Sequence, residues 1–163
     1  MIKIPPYLKK GDTIGLVCPS GTLPAKKAAT CISTLEAWGY KVKIGKTLGT
    51  QHHYFSATDE ARATDLQEML DDKNVQAVLC GRGGYGMSRI IDALDFKAFK
   101  KHPKWIMGFS DVTVLHNHIN NIGIPTSTSF KEKLHDACII SNIPTVNKGY
   151  ASNCSIEFTP WNY

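Results

Sequence analysis

The chain has 163 residues, 42% hydrophobic and 20% charged, which is material for one core and excludes extended disorder. Its net charge of +5 comes from scattered lysines such as Lys9-Lys10, Lys26-Lys27 and Lys100-Lys101. No basic stripe interleaved with aromatics and no apolar run of about 18 residues occurs, so neither nucleic acid nor a membrane is an expected partner. An anionic substrate is permitted by the charge.

The first elements alternate between strand and helix. Asp12 to Cys18 is a short apolar run closed by Pro19-Ser20-Gly21, the pattern of a buried strand entering a turn. Ala25, Ala28, Ile32 and Leu35 then recur at helical spacing, with Gly39 at a C-terminal cap position. Tyr40 to Ile44 alternates as a strand. Residues 58–70 form a second helix with Ala63, Leu66, Met69 and Leu70 on one face. Val75 to Cys80 is a third strand running straight into Gly81-Arg82-Gly83-Gly84-Tyr85-Gly86, and Met87, Ile90, Ile91 and Leu94 mark a third helix. Trp105 to Phe109 is a fourth strand, followed by a helix with Val112, Leu115, Ile119 and Ile122 on its buried face. The fold class expected from this order is α/β: a doubly wound, mostly parallel, flavodoxin-like sheet in three layers. In such folds chemistry gathers beyond the carboxyl ends of the strands, where Pro19-Ser20-Gly21, the 81–86 loop and Ser110-Asp111 all fall. After about residue 125 the periodicity stops, and 126–163 reads as an irregular tail.

Ser110 stands where a strand turns into a helix. That position suits a nucleophile backed by the first free N–H groups of the helix, and it equally suits a helix cap. Gly-Phe-Ser-Asp-Val lacks the last glycine of the G-x-S-x-G elbow. The 81–86 loop matches G-x-G-x-x-G after a strand, so dinucleotide binding is one reading. A second is that its glycines let backbone N–H groups approach a peptide carbonyl near Ser110, and a third is a ligand-free tight turn. Arg82 suits either a bidentate clamp on a substrate carboxylate or a structural ion pair. Asp111 offers its backbone N–H as an oxyanion donor, and its side chain reads as structural.

The five cysteines, Cys18, Cys31, Cys80, Cys138 and Cys154, have no zinc-like or disulfide spacing and read as reduced thiols. Cys18 and Cys80 read as small buried hydrophobes. His116 and His118, two apart on a helix, point away from each other and do not chelate; His118 reads as core or boundary. His52-His53 lie in a loop. No metal or cofactor is expected. The first residues, Met1 to Pro6, do not have the form of a secretory leader, and a cytoplasmic location is expected.

The segments Pro19-Ser20-Gly21, Ser56 to Leu66, Arg82-Gly83-Gly84-Tyr85-Gly86 and Gly108-Phe109-Ser110-Asp111-Val112-Thr113 together resemble the LD-carboxypeptidase family, which includes muramoyltetrapeptide carboxypeptidases and microcin-C immunity hydrolases. The resemblance covers residues 1 to about 125, expected to be the N-terminal nucleophile domain. It implies a serine peptidase with Ser110 as nucleophile and oxyanion donors in the backbone of Asp111 and of Gly83 or Gly84. It also implies a substrate-binding loop of Arg82, Gly83, Gly84 and Tyr85. The implied reaction is hydrolysis of the amide before a terminal D-amino acid in a peptidoglycan-derived peptide, during cell-wall recycling. Family members are longer, and their general-base histidine and its glutamate lie in a C-terminal domain. That domain is expected to be absent here, with the tail marking a truncated or frameshifted gene. Glu132, His135 and Glu157 match no family motif. The chain alone is therefore expected to be weakly active or inactive, with exposed apolar surface that favours association, a homo-oligomer included. Two other functions stay open: a non-catalytic peptide- or partner-binding fragment, and a nucleotide-binding domain.

Overall fold

The computed structural model describes residues 3–126. The tail from residue 127, with Glu132, His135, Cys138, Cys154 and Glu157, lies outside the described residues.

Nine regular elements follow in chain order: β1 (Thr13–Val17), α1 (Ala25–Ala37), β2 (Lys41–Ile44), α2 (Asp59–Asp71), β3 (Ala77–Cys80), α3 (Met87–Ile90), α4 (Lys97–Lys101), β4 (Trp105–Met107) and α5 (Thr113–Asn121). The strands form one parallel sheet in the order β2-β1-β3-β4. The chain winds outward from β1 to β2, crosses back over β1, and continues through β3 to β4. The strand order therefore reverses between β1 and β3, which opens a crevice at their carboxyl ends.

Side chains alternate across the sheet, and each face has its own core. Ile14 and Leu16 of β1, Ala77 and Leu79 of β3, and Trp105 and Met107 of β4 pack toward Ala28, Cys31 and Leu35 of α1. Val17, Val78, Cys80 and Ile106 pack on the opposite face with Leu66, Met69 and Leu70 of α2, Phe99 of α4, and Leu115 and Ile119 of α5. Each large apolar side chain removed from water in this way contributes about 1.5–3 kcal/mol. The expected doubly wound α/β architecture is observed.

The strands β1 to β4 are each one or two residues shorter than their apolar runs, and two helices and the exit of β4 differ in ways that have a physical cause. On α1 the buried positions are 28, 31 and 35, while Ala25 is exposed and Ile32 half-buried. Ala25 opens the helix, and Gly49 of the following loop packs against it there. The single helix expected from Met87 to Leu94 stops at Ile90, passes through a 3-10 turn at Ile91–Ala93, and restarts as α4. Side chains compete for the backbone at this break: Gln67 accepts from the Asp95 N–H at 2.8 Å, and Asp95 accepts from the Lys97 N–H at 2.8 Å. β4 is three residues rather than five, because Gly108 and Phe109 already belong to the exit toward Ser110.

Two buried polar side chains tie the layers together. Lys104, just before β4, donates to the carbonyls of Met69 at 3.0 Å and Asp72 at 2.6 Å, satisfying acceptors at the C-terminal end of α2. Burial pushes its amine down to about 8. His116 of α5 is buried and lies 2.9 Å through Nε2 from the Gly108 carbonyl. A carbonyl can only accept, so Nε2 carries the proton and Nδ1 the lone pair. Nδ1 is buried and meets no partner among the described residues.

Protonating Nδ1 would place an unpaired N–H in the core, and burial accordingly holds the His116 pKa below its ordinary value, the bond to Gly108 opposing the shift. A folded-state pKa depressed below the unfolded one contributes stability above the unfolded pKa and loses it as pH falls. The unfolding free energy from urea titrations should therefore decline below about pH 6.5, with a contribution from His116 of at most about 1.4 kcal/mol per pH unit. His116→Gln should flatten that decline; an unchanged slope in the variant would remove His116 as its cause.

Candidate active site

Three loops converge at the carboxyl ends of β1, β3 and β4. β4 leaves the sheet through Gly108 and Phe109 in extended backbone and turns abruptly at Ser110, whose φ is +59°. A non-glycine residue in the left-handed region costs about 1–3 kcal/mol and persists only where its surroundings hold it. Ser110 begins a short 3-10 turn to Val112, which α5 continues. The N-cap position of that turn is Phe109; the Ser110 side chain is exposed, and none of the described hydrogen bonds involves its hydroxyl. The helix-cap reading of Ser110 therefore has no hydrogen bond to support it, and the strand–turn–helix path is that of a nucleophile elbow.

The glycine-rich loop presses against this turn. A Cβ on Gly83 would stand 2.8 Å from the Ser110 Cβ, 3.0 Å from the Phe109 carbonyl oxygen and 3.2 Å from the Ser110 Oγ. Only glycine allows that approach. The Gly83 carbonyl accepts from the Gly21 N–H at 3.0 Å, which joins the 81–86 loop to the β1–α1 loop across the crevice. Trans-peptide geometry directs the next N–H, that of Gly84, away from Gly21. Arg82 is exposed and donates to the Thr22 carbonyl at 3.1 Å. Among the described residues it forms no ion pair. Tyr85 is exposed, with its ring 6.2 Å from that of Phe55.

Asp111 is half-buried. Its carboxylate accepts from the Ser20 hydroxyl at 2.6 Å and from the Met87 N–H at 2.8 Å. Ser20 is itself fully buried, and its carbonyl accepts from the Ser56 N–H at 3.0 Å.

Beneath the crevice lies Arg62, fully buried on α2. Nη1 donates to the carbonyls of Pro19 and, at 3.0 Å, of Gly86; Nε donates to Ala57 at 3.3 Å; Nη2 pairs with Asp59. The guanidinium also lies 4.8 Å from the Phe55 ring centre. Gly86 has φ +136°, and a Cβ there would meet the Arg62 Nη1 at 2.7 Å. Arg89 grips Asp59 from outside with bonds of 2.6, 2.9 and 3.1 Å. Arg89 first and Arg62 second hold the Asp59 carboxyl below its ordinary pKa.

Sequence reasoning gave no role to Ser20, Arg62 or His116. Arg62 carries a readable signal: it shares a helical face with Leu66 and Met69 at i, i+4 and i+7, so the spacing puts its guanidinium toward the sheet. Ser20 and Met87 carry no such signal, since their partner Asp111 is distant in sequence. His118 stacks on Phe96 with ring centres 4.6 Å apart, consistent with the boundary position expected for it. His52 and His53 pack edge to face in an exposed loop.

Cys18 and Cys80 are buried as expected; burial pushes the Cys18 thiol up to about 12 and raises Cys80 as well. Both stay protonated and unreactive near neutral pH. Among the described residues no group of three His, Cys, Asp or Glu side chains is placed to hold a metal, and no helix is long and apolar enough to cross a membrane. None of the described hydrogen bonds ties the Ser110 hydroxyl to a histidine or a carboxylate.

This parallel doubly wound domain sets an exposed serine at a strained strand-to-helix turn beside a glycine loop, at the carboxyl ends of its strands. The family model of the LD-carboxypeptidase N-terminal domain matches residues 14–129, and the chain belongs to the LD-carboxypeptidase family. It is 45% identical over 123 residues to a probable murein peptide carboxypeptidase of Bacillus subtilis, covering 75% of this chain and 39% of that protein. Two solved structures are similar. A muramoyltetrapeptide carboxypeptidase from Oxalobacter formigenes matches with TM-score 0.64 and 30% identity, over 70% of this chain and 38% of that one. A microcin C7 self-immunity protein in complex with aspartyl sulfamoyl adenosine matches with TM-score 0.69 and 27% identity, over 73% and 36%. The chain thus spans under half the length of the relatives it matches.

Proposed function

We propose that this chain is the nucleophile-bearing domain of a serine-type LD-carboxypeptidase that removes the terminal D-amino acid, D-alanine, from the murein tetrapeptide during cytoplasmic cell-wall recycling. The observation that carries the reading is Ser110: left-handed, exposed and pressed against Gly83 at the end of β4. Its Oγ attacks the carbonyl carbon of the scissile amide, and the carbonyl electrons move onto oxygen. The resulting oxyanion accepts from the Asp111 N–H and from the N–H of Gly83 or Gly84. Collapse expels the D-alanine amine, which takes up a proton, and water then hydrolyses the acyl-serine ester and restores the hydroxyl. Arg82 and Tyr85, exposed on the same loop, are the side chains placed to meet the peptide. The family resemblance supplies the proton acceptor from the part of the relatives that this chain does not span. Triad partners are worth about 10⁴-fold or more, so residues 1–163 assayed by themselves are expected to react slowly.

A serine-directed fluorophosphonate tests this. Labelling should localise to Ser110, rise with pH because hydroxide must take the proton, and vanish in Ser110→Ala. Equal labelling in the alanine variant, or none in the wild type at pH 9, would sink the proposal.

The solved neighbour bound to an aminoacyl-sulfamoyl nucleotide favours one second reading, hydrolysis of that class of conjugate at the same serine. Melting-temperature shifts separate the two: a murein tetrapeptide should raise the midpoint more than an aminoacyl-sulfamoyl adenosine. A simple dinucleotide site is disfavoured, because the 81–86 loop packs onto Ser110 and opens only the four-residue α3.

A further inference from the structure

Both hydrogen bonds to the Asp111 carboxylate end on one atom, Oδ2. The Ser20 hydroxyl reaches it from the β1–α1 loop and the Met87 N–H from the end of the glycine-rich loop, while Asp111 itself follows Ser110. Three segments separated by dozens of residues in sequence are thus joined at a single oxygen. The two donors are rigid. Ser20 and Met87 are fully buried, and Ser20 is anchored again through its carbonyl. None of the described lysines or arginines pairs with Asp111, so the carboxylate is held by these donors and not by a cation.

On the other side of Ser110, the Gly108 carbonyl is fixed by His116. Within the turn itself the bond from the Val112 N–H to Phe109 is long, at 3.3 Å. Beyond Ser110 the Thr113 N–H closes the turn onto the Ser110 and Asp111 carbonyls, and the Asp111 side chain adds the tie from this turn to the two neighbouring loops.

We propose that the Asp111 carboxylate is a positioning residue: it holds the three loops in register and so keeps Ser110 strained against Gly83 with the Asp111 N–H in place. The part of this that concerns Ser110 reactivity rests on Ser110 being the nucleophile; the part that concerns the loops does not. Because one oxygen accepts both bonds, asparagine can keep both and alanine neither. This sets a conservative rescue against a deletion.

The test uses the chain with Asp111→Asn, Asp111→Ala and Ser20→Ala, read by amide hydrogen exchange and by fluorophosphonate labelling of Ser110. Asp111→Ala should speed exchange of the Met87 amide about tenfold or more and loosen residues 19–22 and 108–113, with the β1–β3 pairing unchanged. Labelling should slow by a similar factor, and Asp111→Asn should bring both back to within about threefold of wild type. Ser20→Ala, which deletes one of the two bonds, should give an intermediate effect in the 108–113 segment and serves if Asp111→Ala does not fold. Wild-type exchange at Met87 in Asp111→Ala, or in Ser20→Ala an unchanged 108–113 segment, would overturn the proposal. So would an asparagine variant as impaired as alanine. If wild-type Ser110 takes no label, the nucleophile reading fails on its own, and the exchange data alone decide whether the carboxylate holds the loops.

Discussion

Replacing Arg62 by methionine should lower the unfolding free energy by about 3–5 kcal/mol, measured as the shift in a urea transition at constant slope. Methionine fills much of the volume but donates nothing. The carbonyls of Pro19 and Gly86 then lose a buried donor, and each orphaned acceptor costs about 1–3 kcal/mol. Such a loss is a large part of a typical stability of about 5–15 kcal/mol. Arg62→Lys should recover only part of it, because one ammonium cannot span Pro19, Gly86, Ala57 and Asp59 together. Arg89→Ala removes a half-exposed, solvent-screened partner of the same Asp59 and should shift the transition far less than Arg62→Met. An Arg62→Met chain within about 1 kcal/mol of wild type would mean that water replaces the guanidinium.

Gly83→Ala carries the largest expected effect on Ser110. The backbone of Gly83 lies outside the left-handed region, so the penalty is steric: the new methyl would sit 2.8 Å from the Ser110 Cβ and 3.0 Å from the Phe109 oxygen. Either the 81–86 loop retreats from Gly21 or the turn at Ser110 rotates. Both move Ser110 relative to the backbone N–H groups around it by a large fraction of an ångström, and displacements near 1 Å at a reacting group cost about 100-fold in rate. Fluorophosphonate labelling should fall by about that factor, with about 1–3 kcal/mol of destabilisation. Gly11→Ala is the control. Gly11 has φ +90° and open space around its Cβ position, far from the crevice in the turn before β1. It should lose about 1 kcal/mol through backbone strain while Ser110 labels normally. Normal labelling in Gly83→Ala would show that Ser110 does not depend on the close approach.

What could be read in the sequence follows the range of the forces involved. β1, β3 and β4 are short apolar runs between turn signals, and burial on both faces of a parallel sheet produces that pattern locally. The cap at Gly39 and the start of α2 after Thr58 are equally local, the Thr58 hydroxyl accepting from the Ala61 N–H. The α3–α4 break was not legible, because it depends on Gln67 reaching Asp95 from another helix. At the site, Ser110 and the glycine loop could be singled out by position in an alternating α/β order. The roles of Ser20 and the Asp111 side chain could not, since they are defined by partners 24 to 91 residues away; for Arg62 the helical spacing showed the direction of its side chain but not the carbonyls of Pro19 and Gly86 that it holds. A polar residue is informative in sequence only when its partner is near.

The sheet order also dictates when the site can exist. β1 is the second strand in space but the first in the chain, and its neighbour β3 lies far along, with Ile14 facing Ala77 and Val17 facing Cys80. The early βαβ unit of β1, α1 and β2 can assemble while the rest is still being synthesised. The crevice cannot, because its walls are the ends of β1 and β3 and its floor is the guanidinium of α2. Pairing across that sequence distance pays a loop-closure cost before it returns any contact, and such steps set the rate in parallel folds. Ser110 therefore acquires its strained conformation late in folding, on a scaffold already committed to its topology.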